Sequence, residues 1–390
     1  MIIKGFFGEM PERVEKIYRL ASEEYEKRGV FFLDRDYILN IHRHICPFPT
    51  IIDDLIKSAD RLSGDSERAL FALFAYRLLC DLPLLKENIE RLDFDYDNHP
   101  YLAFILLLPT IQATRENLIC RAVPEDIIEN TLCHYEECVL INLDRHGVRG
   151  LRKRYFKWLL NYVECKILNI DRLRFEISRI SDFLYVLEDS RGARLTLFGG
   201  GDMKENGMCA QSYPGTSTPA FKAEFKETPD AYIGHRLLEN GRCSEIEESF
   251  SKSEYRLILT PNDDCLAVHI PPKSKGAFTP EICEENYKRA IDVFKKSYPE
   301  LNIKAFRCRS WMLSEELRAV LPGSSNIIGF MNRFTRYPIP SGGEDVFLFV
   351  FKTDSCPPEN LPERTSLQRS LKEIYLSGER VYEYGGIITL

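Results

Sequence analysis

The most informative stretch of the chain covers residues 265–313, CLAVHIPPKSKGAFTPEICEENYKRAIDVFKKSYPELNIKAFRCRSWML. Its pattern predicts a strand at 265–270, a basic loop, an amphipathic helix at 280–297 and a second strand at 303–308. Open sheets bind ligands beyond the carboxyl ends of their strands, and a basic, glycine-containing loop before a helix can bind phosphate. We therefore expect the functional site here, where His269 ends the first strand.

The composition of the whole chain is that of a globular protein with more than one domain. At 390 residues the chain is too long for one ordinary core, and 44% hydrophobic with 28% charged residues is typical of soluble proteins. The net charge of −7 argues against a general nucleic-acid binder. Its 12 cysteines include no C-x-x-C pair, which favours reduced thiols in a reducing cytoplasm.

Neither the first residues nor the longest apolar run predicts a membrane association. The initial sequence, MIIKGFFGEMPERVEK, lacks the apolar region of a signal peptide and becomes charged at once. The longest apolar run, at 101–108, is much too short to span a bilayer. We expect a cytoplasmic protein that binds neither membranes nor nucleic acid.

The hydrophobic periodicity changes near residue 173, which predicts two domains. We predict an α+β protein with an all-helical N-terminal domain at 1–168 and, at 169–390, a mixed β-sheet domain with flanking helices. The predicted helices lie at 11–28, 66–80, 100–119, 125–143, 150–168 and 361–376. The other predicted strands lie at 173–177, 183–189, 194–198, 231–237, 243–249, 255–260, 333–338, 345–351 and 384–390, and a long Gly/Ser/Pro-rich loop lies at 199–219.

His269 is the candidate catalytic residue. It lies in LAVHI, a nearly continuous apolar run of the kind found in central strands that are covered on both faces. A neutral imidazole in such a strand is able to act as a general base near neutral pH. The alternative is a structural histidine that forms a hydrogen bond with a backbone carbonyl group, and the pattern alone leaves both open.

The loop after His269 is the candidate anion site. Lys273, Lys275 and Gly276 precede Thr279, which is followed by a proline and an acidic residue and therefore predicts a helix N-terminus. Amide groups at such a terminus attract anions, and the lysines add positive charge. Glu281 in the first turn opposes a phosphate there, so a solvated turn is the alternative.

Two further features follow the second strand of the stretch. Ser310 and Trp311 lie just beyond its end, and a tryptophan there either lines a ligand pocket or fills the core. Cys308 is a possible nucleophile by residue type, but a buried structural cysteine is the ordinary case and no histidine lies close in sequence.

The segment IHRHIC resembles a metal site only at first sight. His42 and Cys46 align one helical turn apart, whereas His44 points elsewhere and no fourth ligand is evident. We therefore predict no metal site.

Several motifs together resemble a little-characterised bacterial family. They are Gly234-His235, Gly241-Arg242, His269-Ile270-Pro271, Ser310-Trp311 and Ser325-Asn326, with looser similarity in the helical residues 125–170. The proteins of this family are acyltransferase-domain proteins with a helical N-terminal domain and a GNAT-like C-terminal domain, described as natural-product biosynthesis proteins. The resemblance covers about residues 100–335, and the His-Ile-Pro and Ser-Trp pair across one helix is its most specific part.

The resemblance implies acyl transfer from acyl-CoA, as co-substrate, to a small-molecule amine. It also implies that the pyrophosphate contacts the loop after the central strand, and that the pantetheine arm enters a V-shaped opening between the strands at 265–270 and 303–308. The expected CoA-binding residues are therefore Ile270, Lys273, Lys275, Gly276 and Thr279. Ser310 and Trp311 are the expected substrate-pocket residues, with His269 as the base.

One departure from the family pattern supports an alternative function. The phosphate loop of GNAT proteins normally reads Gln/Arg-x-x-Gly-x-Gly/Ala, and here Phe278 occupies a position where a small residue is expected. A phenylalanine there is expected to obstruct the close approach of the pyrophosphate to the backbone. The alternative is therefore a catalytically inactive GNAT-like binding or scaffold protein.

Overall fold

The chain folds into two compact units that divide between Asn169 and Ile170. The structure is a computed structural model, which describes residues 11–94, 96–215, 218–271, 276–353 and 355–390. No helix within these ranges is long and apolar enough to cross a membrane.

The first unit is built from helices packed around an apolar interior. Its helices are α1 (Glu12–Arg28), α2 (Arg35–His44), α3 (Ile52–Ser63), α4 (Ser66–Leu79), α5 (Leu82–Asn88), α6 (Leu102–Cys120), α7 (Glu125–Leu132), α8 (His134–His146) and α9 (Lys153–Val163). α4 is buried on most sides because its sequence is apolar all round. Its N-cap is Asp65, whose side chain accepts the backbone N–H of Arg68. The helix expected at 125–143 is divided at Cys133 into α7 and α8.

The second unit combines sheets with a few helices. Its strands follow β1 (Ile167–Ile170), which runs across the boundary between the units. They are β2 (Leu173–Arg179), β3 (Leu184–Asp189), β4 (Arg194–Phe198), β5 (Gly201–Met203), β6 (Phe221–Ala223), β7 (Lys226–Glu227), β8 (Ala231–Leu237), β9 (Cys243–Ser251), β10 (Tyr255–Leu259), β11 (Asp264–His269), β12 (Ala305–Ser310), β13 (Thr335–Pro338) and β14 (Tyr384–Thr389). Its helices are α10 (Pro280–Ser297), α11 (Asn326–Met331), α12 (Glu344–Val346) and α13 (Ser366–Leu376).

The sheet that carries the expected site has the strand order β2-β11-β12-β14-β13 within the second unit. β11 and β12 are parallel because α10 crosses between them, and the other neighbours are antiparallel. α10 covers one face of this sheet, where the ring of Tyr287 lies against those of Phe175 and Phe306. The strands and the helix predicted for 265–313 are thus present in the predicted order, whereas residues 272–275 of the loop lie outside the described residues.

A second sheet has the order β10-β3-β4-β8-β7, with β9 also paired to β8. β5 and β6 form a separate two-stranded sheet. β5 lies inside the segment predicted as a long loop at 199–219, and Met203 at its end also pairs with Cys209. That segment is therefore partly ordered by backbone pairing.

The prediction of a strand at 345–351 is wrong, because these residues are helical. α12 continues as a π-helix over Phe347–Phe351. The carboxylate of Glu383 accepts the backbone N–H groups of Gly343 and Asp345 and so caps the start of this segment. The rings of Phe347 and Phe351 both pack on Tyr375, as residues one turn apart do on a helix.

Candidate active site

The two parallel strands β11 and β12 separate where the site was expected. Their last paired residues are Ala267 and Arg307. Beyond that point β11 stays paired with β2 as far as His269, and β12 stays paired with β14 as far as Ser310. Each strand therefore continues along its outer neighbour while the inner pairing has ended, which opens the sheet between them.

A cavity of about 950 Å³ lies at this opening. Its volume is at the upper end of the range found for small-molecule sites. Both separated strands contribute to it, through Val268, His269 and Ile270 on one side and Cys308, Arg309 and Ser310 on the other. Part of the remaining wall comes from helical residues of the C-terminal part, including Phe349, Phe351, Leu367 and Gln368.

His269 faces this cavity and is paired with a carboxylate. Its Nε2 lies 2.8 Å from Oε2 of Glu176 on the neighbouring strand β2. The His269 side chain is 34% exposed and that of Glu176 23% exposed, so both are partly shielded. A carboxylate bonded to one ring nitrogen fixes the orientation of the imidazole. Nε2 thus has a carboxylate partner, whereas the predicted alternative was a hydrogen bond with a backbone carbonyl group.

The residues expected to bind CoA fall into three groups. Ile270 lines the cavity, whereas Lys273 and Lys275 lie outside the described residues. Thr279 is the N-cap of α10, and its Oγ1 accepts the backbone N–H of Ile282 at 3.4 Å. Gly276 has a φ of +95°, a conformation that favours glycine.

Glu281 occupies the first turn of α10, as the sequence predicts. Hydrogen bonds with its own backbone N–H and with the Thr279 hydroxyl hold the pKa of Glu281 below its usual range. The carboxylate is therefore ionised at neutral pH and complements the dipole of the helix.

Phe278 contacts an aromatic ring and a cation just before the start of α10. Its ring centroid lies 5.2 Å from that of Phe330, and the guanidinium of Arg172 lies 5.0 Å from the same ring. Both Phe278 and Arg172 line the cavity. The aromatic residue at this position is thus part of the cavity wall and carries a cation on its face.

Trp311 and Ser310 both line the cavity, at the end of β12. Trp311 is 8% exposed and begins the short 3₁₀ turn Trp311–Leu313. The Ser310 hydroxyl accepts the backbone N–H of Met312 at 3.1 Å and so caps that turn. The turn holds the indole in the cavity wall.

Cys308 contacts the same cavity but is not suited to nucleophilic attack. Burial raises the pKa of its thiol to about 12, and the nearby Arg307 only partly offsets this. The thiolate, which is the nucleophilic form, is therefore scarce at neutral pH.

The residues of the IHRHIC segment have structural partners. His42 accepts the backbone N–H of Phe48 on Nδ1, and the Cys46 thiol donates to the carbonyl of Leu132. Over the described ranges of the chain, no three His, Cys, Asp or Glu side chains are grouped so that they could hold a metal ion.

Residues 167–388, more than half of the chain, match the family described as GNAT-like C-terminal domain. The chain belongs to this GNAT-like family. No curated protein sequence gives a significant match.

Solved structures of acyltransferases share the fold of this GNAT-like protein. One is an acyltransferase mutant in complex with octanoyl-CoA, at 16% identity and a TM-score of 0.58 over 92% of this chain and 88% of that chain. A second is an acyltransferase in complex with decanoyl-CoA, at 18% identity and a TM-score of 0.57 over 97% and 99%. A third, in complex with decanoyl-CoA and teicoplanin, has 15% identity and a TM-score of 0.56 over 97% and 99%. At these identities the likeness establishes the fold.

Three residues of the GNAT-like site were missed from the sequence. Glu176 lies on β2, Arg172 lies just before β2, and Arg309 lies two residues before the predicted Trp311. The only signal was the run Arg172, Arg174, Glu176, in which charged residues alternate with apolar ones at the start of β2. Alternation places these side chains on one face, but it does not reveal which strand that face adjoins.

Proposed function

We propose that this protein is an acyl-CoA-dependent N-acyltransferase that acts on a small-molecule amine in natural-product biosynthesis. The observation that carries the proposal is the separation of β11 and β12 beyond Ala267 and Arg307, with a cavity at the gap. A gap between two parallel strands admits an extended pantetheine arm, whose amide groups can bond to strand edges. The acyl-CoA ligands named for the solved acyltransferases support the same donor.

The cavity also suits the donor by size and chemistry. Its volume of about 950 Å³ and its apolar wall, with Phe349, Phe351 and Trp311, fit an acyl chain attached to pantetheine. Arg172 and Arg309 add positive charge beside that wall, which suits a ligand with phosphates. The teicoplanin named in one solved complex supports a small-molecule acceptor.

The chemistry assigned to His269 is general-base catalysis. The neutral amine attacks the thioester carbonyl carbon, a C–N bond forms, and the amine proton passes to His269 directly or through a water molecule. The C–S bond then breaks, and the departing sulfur receives a proton from the imidazolium, which gives an amide and a free CoA thiol. Glu176 stabilises the imidazolium during these steps, since its carboxylate lies 2.8 Å from Nε2.

The other groups at the strand ends stabilise and shape the reacting centre. Backbone N–H groups at the ends of the separated strands would donate to the oxyanion formed on the carbonyl oxygen. Trp311, held by the Ser310 cap, would limit the space available to the acceptor. Removing one oxyanion donor typically lowers kcat by a factor of about 100 to 1000.

Binding and turnover test this function separately. Calorimetry with acetyl-CoA, octanoyl-CoA and decanoyl-CoA should show binding of at least one of them by the purified full-length chain. Release of the free CoA thiol is then followed with a panel of amines. The variant His269→Ala should bind acyl-CoA normally but lose most turnover, whereas His146→Ala, at an exposed position on α8, serves as the matched control.

Two results would contradict parts of this proposal. Full turnover by His269→Ala would remove the role of the histidine as base. A failure of the wild-type chain to bind any acyl-CoA would favour the alternative of a catalytically inactive GNAT-like binding or scaffold protein, which the departure at Phe278 motivates.

A further inference from the structure

Arg172 occupies a fixed position between β1 and β2. The buried side chain of Asn286 on α10 accepts the backbone N–H groups of Arg172 and Leu173, at 2.9 and 3.1 Å. Arg289, also on α10, pairs with Asp171 at 2.7 Å. The turn is therefore anchored to the helix that follows the separated strand β11, and the start of the Arg172 side chain is set by these contacts.

The guanidinium of Arg172 is directed to the start of the loop after β11. Nη1 donates to the carbonyl oxygen of Pro271 at 3.3 Å, and the group lies 5.0 Å from the centroid of the Phe278 ring. Both contacts involve residues that line the cavity. They hold the planar cation against an aromatic face, and the hydrogen bond to Pro271 uses one of its five N–H donors.

The charge of this arginine is uncompensated within the described ranges. No carboxylate there forms an ion pair with Arg172, and its buried Nε has no hydrogen-bond partner among those residues. Arg307 of the same unit, by contrast, is paired with Asp182 at 2.7 Å. Burial lowers the pKa of Arg172, but an arginine remains charged at neutral pH. A half-buried cation without an anion is unfavourable unless a ligand supplies the negative charge.

We propose that Arg172 binds the pyrophosphate of CoA and that Phe278 is the platform that orients it. This inference rests on the proposed function and names the residues that hold the donor. A guanidinium matches two phosphate oxygens at once, and the pyrophosphate is the part of CoA expected beside the loop that begins at Pro271. Phe278 then supports the phosphate contact in place of the small residue of the usual GNAT loop.

Three ligands of decreasing phosphate content test the assignment by calorimetry. They are CoA, dephospho-CoA, which lacks the 3′-phosphate, and pantetheine, which has no phosphate. In Arg172→Gln, Kd for CoA and for dephospho-CoA should rise roughly 10- to 100-fold, the loss expected for a charge-assisted hydrogen bond. The Kd for pantetheine should not change.

Further variants separate charge from structure. Arg172→Lys should recover part of the affinity for CoA, because a single ammonium still attracts phosphate. Phe278→Leu should raise Kd for CoA roughly threefold to tenfold and leave Kd for pantetheine unchanged, since only the platform is lost. Arg179→Gln, at the opposite end of β2 and 72% exposed at its side chain, is the matched control and should bind all three ligands as the wild type does.

Each contrary result has a distinct meaning. An equal rise in Kd for CoA and for pantetheine in Arg172→Gln would overturn the phosphate contact and leave a structural role. A rise in Kd for CoA without a rise in Kd for dephospho-CoA would overturn the pyrophosphate assignment in favour of the 3′-phosphate. If the wild-type chain binds pantetheine thioesters as tightly as acyl-CoA, the phosphate contact fails while the acyltransferase function stands. If it binds none of these ligands, both fail.

Discussion

His269 and Glu176 meet across the antiparallel pair of β11 and β2, with Nε2 and Oε2 2.8 Å apart. In this pair His269 is opposite Arg174, and Glu176 is opposite Ala267, so the contact is a diagonal one on a single face of the sheet. The imidazole therefore lies beside the last paired residue of the separated strand. Both side chains are partly exposed, which allows protons to exchange with solvent.

The pairing predicts a specific loss of turnover. Glu176→Gln keeps a hydrogen-bonding group of the same size but removes the negative charge beside the imidazole. We expect kcat to fall by roughly 10- to 100-fold, while Kd for acyl-CoA stays unchanged. Steady-state kinetics gives kcat, and calorimetry gives Kd.

A variant of the same strand provides the control for this prediction. Ser178→Ala, which lies at the opposite end of the paired region, should leave kcat and Kd as they are in the wild type. A rise in Kd for acyl-CoA together with the fall in kcat of Glu176→Gln would show that the carboxylate acts on structure and not on the base.

The local elements of the site were predictable, because their signals are short-range. A proline after Thr279 with an acidic residue in the first turn predicted the start of α10, and an apolar run predicted β11. These features depend on neighbouring residues and on the helical period, which one sequence contains. The family resemblance added the expected opening between the strands.

The partners of the site residues were not predictable, because they are distant in sequence. Glu176 lies 93 residues from His269, and Arg172 lies 99 from Pro271. They meet only through the register of β2 on β11, and alternation alone does not fix which strands pair. The prediction of a strand at 345–351 was wrong for a similar reason, since the helical form of these residues depends on Glu383, 38 residues from Asp345.

A buried ion network beside the site should contribute strongly to stability. Asp182 accepts from Arg307 Nε and from the Tyr337 hydroxyl, both at 2.7 Å. The side chains of Asp182 and Arg307 are only 12% and 10% exposed. Asp182→Ala leaves a buried guanidinium without its carboxylate, so we expect a loss of about 3 to 5 kcal/mol in the free energy of unfolding, measured by urea denaturation.

An exposed pair of the same unit is the comparison for this loss. Glu247 and Lys226 lie 3.0 Å apart, with side chains 46% and 53% exposed, so Glu247→Ala should change the free energy of unfolding by no more than about 1 kcal/mol. Similar values for Asp182→Ala and Glu247→Ala would mean that water or a rearranged neighbour compensates Arg307.

Gly385 on β14 should not tolerate a side chain. A Cβ atom at this position would lie 2.1 Å from ring atoms of Tyr337, which is fully buried and cannot move aside easily. Gly385→Ala is therefore expected to cost about 1 to 3 kcal/mol, visible as a lower Tm. Gly323→Ala is the matched control, because no atom lies within 4 Å of its Cβ position, and its Tm should match or slightly exceed that of the wild type. Equal Tm values for the two variants would contradict the packing argument.

The buried thiol of Cys308 predicts that stability falls at alkaline pH. Burial raises its pKa to about 12, whereas an unfolded cysteine has a pKa of about 8.5. Between these values the unfolded chain releases the proton and the folded chain keeps it, so the free energy of unfolding decreases as pH rises, by up to about 1.4 kcal/mol per pH unit. The stabilising effect of the buried thiol is complete below about pH 8.5 and is lost progressively as the pH rises to the folded pKa of about 12.

The slope of stability against pH isolates this thiol. We measure the free energy of unfolding of the reduced protein by urea denaturation between about pH 9 and pH 10.5. Its decrease with pH should be shallower for Cys308→Ala than for the wild type, by the slope that corresponds to about one proton. Cys80→Ala removes an exposed thiol and controls for the loss of a cysteine. An identical slope in Cys308→Ala and the wild type would mean that the folded protein ionises Cys308 as readily as the unfolded chain does. That result would restore Cys308 as a candidate nucleophile at the cavity, in competition with direct transfer assisted by His269.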